Sequence, residues 1–124
     1  MAHIFKDETY AIRGAIFEVY REMGSGFLEA VYQECLEKEF SRRNIEFVAE
    51  QEIHLMYKKE LLLQAYKPDL ICYGKIVIEL KAVKNLTEVH IAQVINYLNA
   101  SGLKLGLLVN FSAYPKVEII RLAL

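Results

Sequence analysis

Pro68-Asp69-Leu70-Ile71-Cys72-Tyr73-Gly74-Lys75-Ile76-Val77-Ile78-Glu79-Leu80-Lys81 reads as two apolar strands folded about Tyr73-Gly74-Lys75. Glu79 and Lys81 are two residues apart and project from the same face of the second strand. With a three-residue loop, Cys72 pairs with Ile76 and Asp69 falls opposite Glu79. Directly opposed residues in a hairpin have Cβ atoms roughly 5 Å apart. Two carboxylates at that range repel one another, and stability alone would not put them there. A divalent cation between them removes the conflict, and the neighbouring lysine can hold a water or a phosphate. The pattern is the outline of a metal-dependent phosphodiesterase site.

Glu79-Leu80-Lys81 is the only Asp/Glu-x-Lys triplet in the chain, and Asp69 is one of two aspartates. Val77, Glu79 and Lys81 share a face, so one side of an otherwise apolar strand turns charged. A strand that simply ends at the solvent edge accounts for the triplet equally well.

Working outward, the preceding sequence is helical. Ile12, Ile16, Val19, Tyr20 and Met23 recur at helical spacing from about Asp7 to Met23, and Gly24-Ser25-Gly26 stops the pattern. A second helix follows from about Leu28 to Arg43 on a stripe of Leu28, Val31, Tyr32, Cys35 and Leu36. Glu29 falls in its first turn, where the electropositive helix end favours a glutamate without any catalytic role. The period then changes to two, giving strands at Ile45–Ala49 and Ile53–Tyr57. Leu61 to Cys72 reads as extended throughout, with Pro68 at a position that needs no ladder hydrogen bond.

Beyond the charged strand, Thr87 is the expected N-cap of a third helix that ends at Ser101-Gly102. His90, Gln93 and Tyr97 form one stripe of it, and Ile91, Val94, Ile95 and Leu98 form the core stripe. The polar stripe either lies along the metal pocket or is a solvated face. Leu103–Phe111 reads as a buried strand and Val117–Leu122 as a last short one. The expected fold is α/β (α+β), a mixed sheet with helices packed on it and a single domain over residues 1–124.

The 124 residues are 54% hydrophobic and 25% charged, well outside the disordered regime. The net charge of −1 supplies no global basic field, which argues against tight autonomous DNA binding but not against a nuclease with local phosphate contacts. Lys58, Lys59, Lys67, Lys84 and Lys104 could form such a rim, or serve only solubility. No stretch is long and apolar enough to span a membrane, and residues 1–8 do not read as a secretory signal. Cys35 and Cys72 read as buried free thiols, so the expected setting is the cytoplasm.

Together these segments resemble the small proteins named for a Gly-x-x-Glu-x-x-Tyr motif within the PD-(D/E)XK nuclease superfamily. Gly26-Phe27-Leu28-Glu29-Ala30-Val31-Tyr32 is the naming motif, Asp69 with Glu79-Leu80-Lys81 the superfamily's central pair, and Thr87–Leu98 and Gly106–Phe111 look like the following helix and strand. The resemblance implies a restriction-endonuclease-like core. It implies that Asp69, Glu79 and the Leu80 carbonyl bind Mg²⁺ or Mn²⁺, with Glu29 acting through a bound water. It gives Lys81 the role of orienting or deprotonating the attacking water, and Gln93 a place near the active site. His90 and Tyr97 carry over less directly. The implied activity is hydrolysis of phosphodiester bonds in DNA, with RNA the second candidate.

The competing reading is a non-catalytic nucleic-acid- or protein-binding module on the same fold, suggested by near-neutral charge and the aromatics Tyr57, Tyr66, Tyr73 and Tyr114. A small-molecule phosphodiesterase would use the same residues. Homodimerisation would let two small subunits cut two strands, although no residue pattern argues for it.

Overall fold

The computed structural model describes residues 4–124; residues 1–3, part of the segment read against a secretory signal, lie outside it. The chain begins with α1 (Lys6–Met23) and α2 (Glu29–Arg42). Five strands follow: β1 (Phe47–Ala49), β2 (Ile53–Tyr57), β3 (Glu60–Tyr66), β4 (Leu70–Cys72) and β5 (Ile76–Lys81). Then come α3 (Glu88–Ser101), β6 (Leu105–Asn110) and β7 (Glu118–Ala123). The main sheet has the order β1-β4-β5-β6-β7. β5 and β6 are parallel, with α3 as the crossover, and the other pairings are antiparallel.

Helices cover both faces of the sheet, which is why β5 and β6 are near-continuous apolar runs rather than alternating ones. On one side, Ile12, Ala15, Ile16 and Val19 of α1 and Tyr32, Leu36 and Phe40 of α2 bury against Leu70, Ile76, Ile78 and Leu80. On the other, Val94 and Leu98 of α3 pack on Ile71, Val77 and Leu108. Fully burying each such side chain contributes about 1.5–3 kcal/mol. α3 comes close to β6 because residue 106 is glycine: a Cβ there would lie 2.7 Å from Val94 Cγ1.

Two expectations need correction. The stretch Leu61–Cys72 is not continuously extended; it breaks at Lys67-Pro68-Asp69 and its halves belong to different sheets. Proline locks its own φ, has no N–H to donate and restricts the residue before it, so a ladder cannot run through it. β2 and β3 accordingly form a separate two-stranded hairpin that lies against α3 instead of extending the main sheet. The first strand also begins later than Ile45, which is buried in the turn after α2, its N–H donating to the Phe40 carbonyl. Both cysteines are free, Cys72 buried and Cys35 half-buried. Burial pushes the Cys72 thiol up to about 12, so it stays protonated near neutrality.

Candidate active site

The three-residue loop sets the register as its length requires: Cys72 pairs with Ile76, Ile71 with Val77 and Leu70 with Ile78. One step further brings Asp69 to Glu79, and two reciprocal hydrogen bonds fix them. The Asp69 backbone N–H donates to Glu79 Oε1 at 2.9 Å, and the Leu80 N–H donates to Asp69 Oδ2 at 2.8 Å. Each carboxylate is thus anchored by an amide of the opposing strand, with its remaining oxygen available.

Electrostatics mark the pair as unusual. Glu79 is 5% exposed. Burial, then repulsion from Asp69, pushes its carboxyl up to about 8, against the Asp69 N–H and the Lys81 charge, which favour ionisation. Asp69 is also raised, first by burial and then by the charges of Glu29 and Glu50, with the Leu80 N–H and Lys81 opposing. Two carboxylates, Glu79 buried and Asp69 half-buried, that resist joint ionisation form a site that a cation or a shared proton would relieve. Their hard oxygen donors suit Mg²⁺ or Mn²⁺, which is commonly held by one or two carboxylates with water and phosphate completing its shell. Among the described residues no three or more His, Cys, Asp or Glu side chains gather as ligands, so two carboxylates are the core of the donor set.

Lys81 follows on the same strand face, half-buried. Its main chain is fixed from β6, where it pairs with Asn110 and accepts the Phe111 N–H at 2.9 Å. Asn110 itself is fully buried. Its Oδ1 accepts from the N–H groups of Val83 and Ser112, each at 3.1 Å, and its Nδ2 donates to the Val83 carbonyl at 2.8 Å. The amide acts as one more rung of sheet beyond Lys81 and fixes the chain on leaving the site. Sequence reading missed this residue, because an asparagine at a strand end looks like ordinary turn chemistry. It missed Glu50 for a similar reason. Glu50 adopts φ 53°, its N–H donates to the Asp69 carbonyl at 3.1 Å, and its charge acts on Asp69.

Glu29 is the exposed first residue of α2, close enough for its charge to act on both carboxylates. Tyr32, buried one turn later, explains how that helix start is held. Its hydroxyl donates to the Gly24 carbonyl and accepts the Phe27 N–H, and its ring stacks on Phe111 at 4.4 Å. Gly26 adopts φ 112°, open to glycine and strained for other residues. The glycine, glutamate and tyrosine of the motif therefore shape one turn and present one carboxylate.

The α3 stripe is different. His90 Nδ1 accepts the Thr87 N–H at 3.0 Å and completes a helix cap. Tyr97 packs edge-on against Tyr66, whose hydroxyl donates to the Gln93 carbonyl at 3.4 Å. The Gln93 side chain is exposed and hydrogen-bonds to neither carboxylate. This stripe supports the β2–β3 hairpin. The structure brings together Asp69, Glu79 and Lys81 with Glu29 nearby, and leaves His90 and Tyr97 to structural duties.

A mixed sheet flanked by helices, with opposed carboxylates and a lysine on its central hairpin, defines the nuclease-like class to which the fold and site point. The family model of the PD-(D/E)XK nuclease superfamily matches residues 6–122 of the 124. The chain belongs to that superfamily. No curated protein and no solved structure matches it. No helix among the described residues is long and apolar enough to cross a membrane.

Proposed function

We propose that the chain is a divalent-metal-dependent nuclease of the Gly-x-x-Glu-x-x-Tyr group, working in the cytoplasm on DNA, with RNA the second candidate. The reciprocal clasp of Asp69 and Glu79 carries the reading: it brings a half-buried and a buried carboxylate together, and a bound cation makes both ions favourable there. Asp69 and Glu79, with the Leu80 carbonyl, would hold Mg²⁺ or Mn²⁺, and Glu29 would reach it through water. A cation there supplies a lowered pKa for water and neutralises charge on the scissile phosphate.

The chain's own residues do the rest. Lys81 orients the attacking water or takes its proton, and its compact ammonium offsets charge on the phosphate oxygens as the transition state forms. Glu29 accepts a hydrogen bond from solvent at the mouth of the site, and Gln93, exposed on α3, is available to a substrate that covers the cleft.

The test begins with calorimetric titration of Mn²⁺ and Mg²⁺ into wild type and Asp69→Asn. Saturable binding that the variant loses is the expected result. Cleavage of labelled DNA and RNA then follows for wild type, Glu79→Ala and Lys81→Ala. Both variants should fall at least about 100-fold, the scale of a lost charge-stabilising or proton-transfer group. Unchanged cleavage in the two variants sinks the assignment.

A further inference from the structure

The cavity of about 590 Å³ between α1 and the segment leading into β7 plays no part in the site described above. Its walls include Arg13, Phe17, Tyr20, Arg21, Pro115 and Lys116. The core side of α1 uses positions 12, 15, 16 and 19. The outer side carries Lys6, Tyr10, Arg13, Phe17 and Arg21, separated by steps of four, three, four and four, so they form one stripe. Cation and aromatic alternate along it for roughly 22 Å at 1.5 Å per residue. Tyr10 is 80% exposed and Phe17 51%, so two large rings lie on the solvent side of the helix.

Further observations give the stripe a ligand chemistry. Gly14 leaves room for Arg43, whose Nη1 would be 3.0 Å from a Cβ there, so another guanidinium lies against the same face. Arg21 and Arg43 are held by ion pairs to Glu18 and Glu39, both 2.7 Å, whereas Arg13 and Lys116 have no ion-pair partner among the described residues. Among the described residues, no carboxylate lines the cavity itself. Open aromatic faces interleaved with cations suit stacked bases and the phosphates joining them, and they suit an unpaired strand because only there are base faces free.

The location fits as well. The Tyr20 hydroxyl donates to the Ala113 carbonyl at 2.6 Å, tying the end of α1 to the loop that leaves β6. β6 finishes at Asn110 beside Lys81, so this loop runs from the candidate active site to the cavity wall at Pro115 and Lys116.

We propose that the α1–β7 groove, with the α1 stripe that continues it past Arg13, binds a single-stranded segment of nucleic acid, with Phe17 in the groove and Tyr10 on the stripe beyond it stacking on bases and Arg13 and Lys116 contacting phosphates. This deepens the nuclease reading by giving the substrate an unpaired strand, and it rests on that reading only for its link to cleavage. A second copy of the chain is the competing occupant.

The experiment is fluorescence anisotropy of a labelled oligothymidine with the full chain in EDTA, so that no cleavage intervenes, at several salt concentrations. Tyr10→Ala and Phe17→Ala should each weaken binding roughly 5- to 100-fold, the range for a lost stacked base. Arg13→Gln and Lys116→Gln should each lower the logarithmic salt slope by about one. Leu63→Ser, on the exposed face of the β2–β3 hairpin and outside the groove, should bind like wild type. Tyr10 is so exposed that its loss cannot unfold the chain, and melting curves check the other variants. Wild-type affinity in folded Tyr10→Ala and Arg13→Gln overturns the proposal. So does a dimer mass by light scattering that Phe17→Ala reduces to one chain while oligonucleotide binding is unaffected. A chain that binds through these residues but cuts nothing removes the nuclease reading and leaves the groove; one that cuts while the groove variants bind normally does the reverse.

Discussion

Burial and the adjacent Asp69 carboxylate raise Glu79 from an ordinary 4.5 to about 8, and Asp69 moves in the same direction. A raised carboxyl binds a proton in the folded state at a pH where the unfolded chain has released it. Its stabilising effect is therefore complete below about 4.5 and is lost as pH rises through about 8. The metal-free protein should melt several degrees lower at pH 8.5 than at pH 5.5. Glu79→Gln, which cannot ionise, should flatten most of that dependence; equal slopes for variant and wild type would count against a protonated Glu79. A cation must displace the same proton, so calorimetric Mn²⁺ affinity should rise between pH 6 and 8, with proton uptake by the buffer. Lys81 bears on the ionised pair from the same face, and its replacement by Ala should weaken metal binding little while removing cleavage.

At the level of elements, the site depends on turns and strand ends that hold their neighbours. Asn110→Ala leaves the Val83 N–H and C=O and the Ser112 N–H without their side-chain partner. A loss of about 2–4 kcal/mol is expected from three partly buried groups, measured by denaturant unfolding. Tyr32→Phe keeps the stack on Phe111 but releases Gly24 and Phe27. Phe27 is exposed and can turn to water, so a loss nearer 1 kcal/mol is expected, with a larger relative effect on whatever Glu29 does. Gly106→Ala forces Val94 and α3 off β6 and should cost about 1–3 kcal/mol.

The carboxylate hairpin was legible because its evidence is local: loop length fixes register, and a period of two fixes faces. The helices were legible for the same reason, from Ile12, Ile16 and Val19 on one side and Thr87 and Gly102 at the ends of α3. What could not be read is long-range. Nothing near Asn110 in sequence shows that it reaches back to Val83, and nothing near Tyr97 shows that its ring packs on Tyr66. Pro68 marked the break in the strand, but the apolar run on both sides concealed that β3 turns to α3 and β4 to the main sheet.

Across the whole molecule, order is concentrated on β5 and β6. Both are buried on two faces between α1, α2 and α3. The β2–β3 hairpin is a two-stranded sheet, marginal by itself, held to the rest mainly through α3 and the Tyr66–Tyr97 contact. Leu63 on its outer face is 101% exposed and contributes nothing to burial, so Leu63→Ser should leave the melting temperature within about a degree. Amides of Ile53–Tyr66 should exchange by local opening, well below the global free energy, whereas those of Val77, Ile78, Leu107 and Leu108 should exchange only when the chain unfolds. Metal adds a discriminating measurement. At 100 times its dissociation constant, Mn²⁺ should slow exchange in β5 and β6 by the equivalent of about 2.7 kcal/mol, because it binds only the folded site. The hairpin should not gain that protection if its opening stops short of Lys67-Pro68-Asp69. If the hairpin slows by the same amount as β5, its unfolding carries Asp69 with it, and the break at Pro68 is not the boundary between two cooperative units.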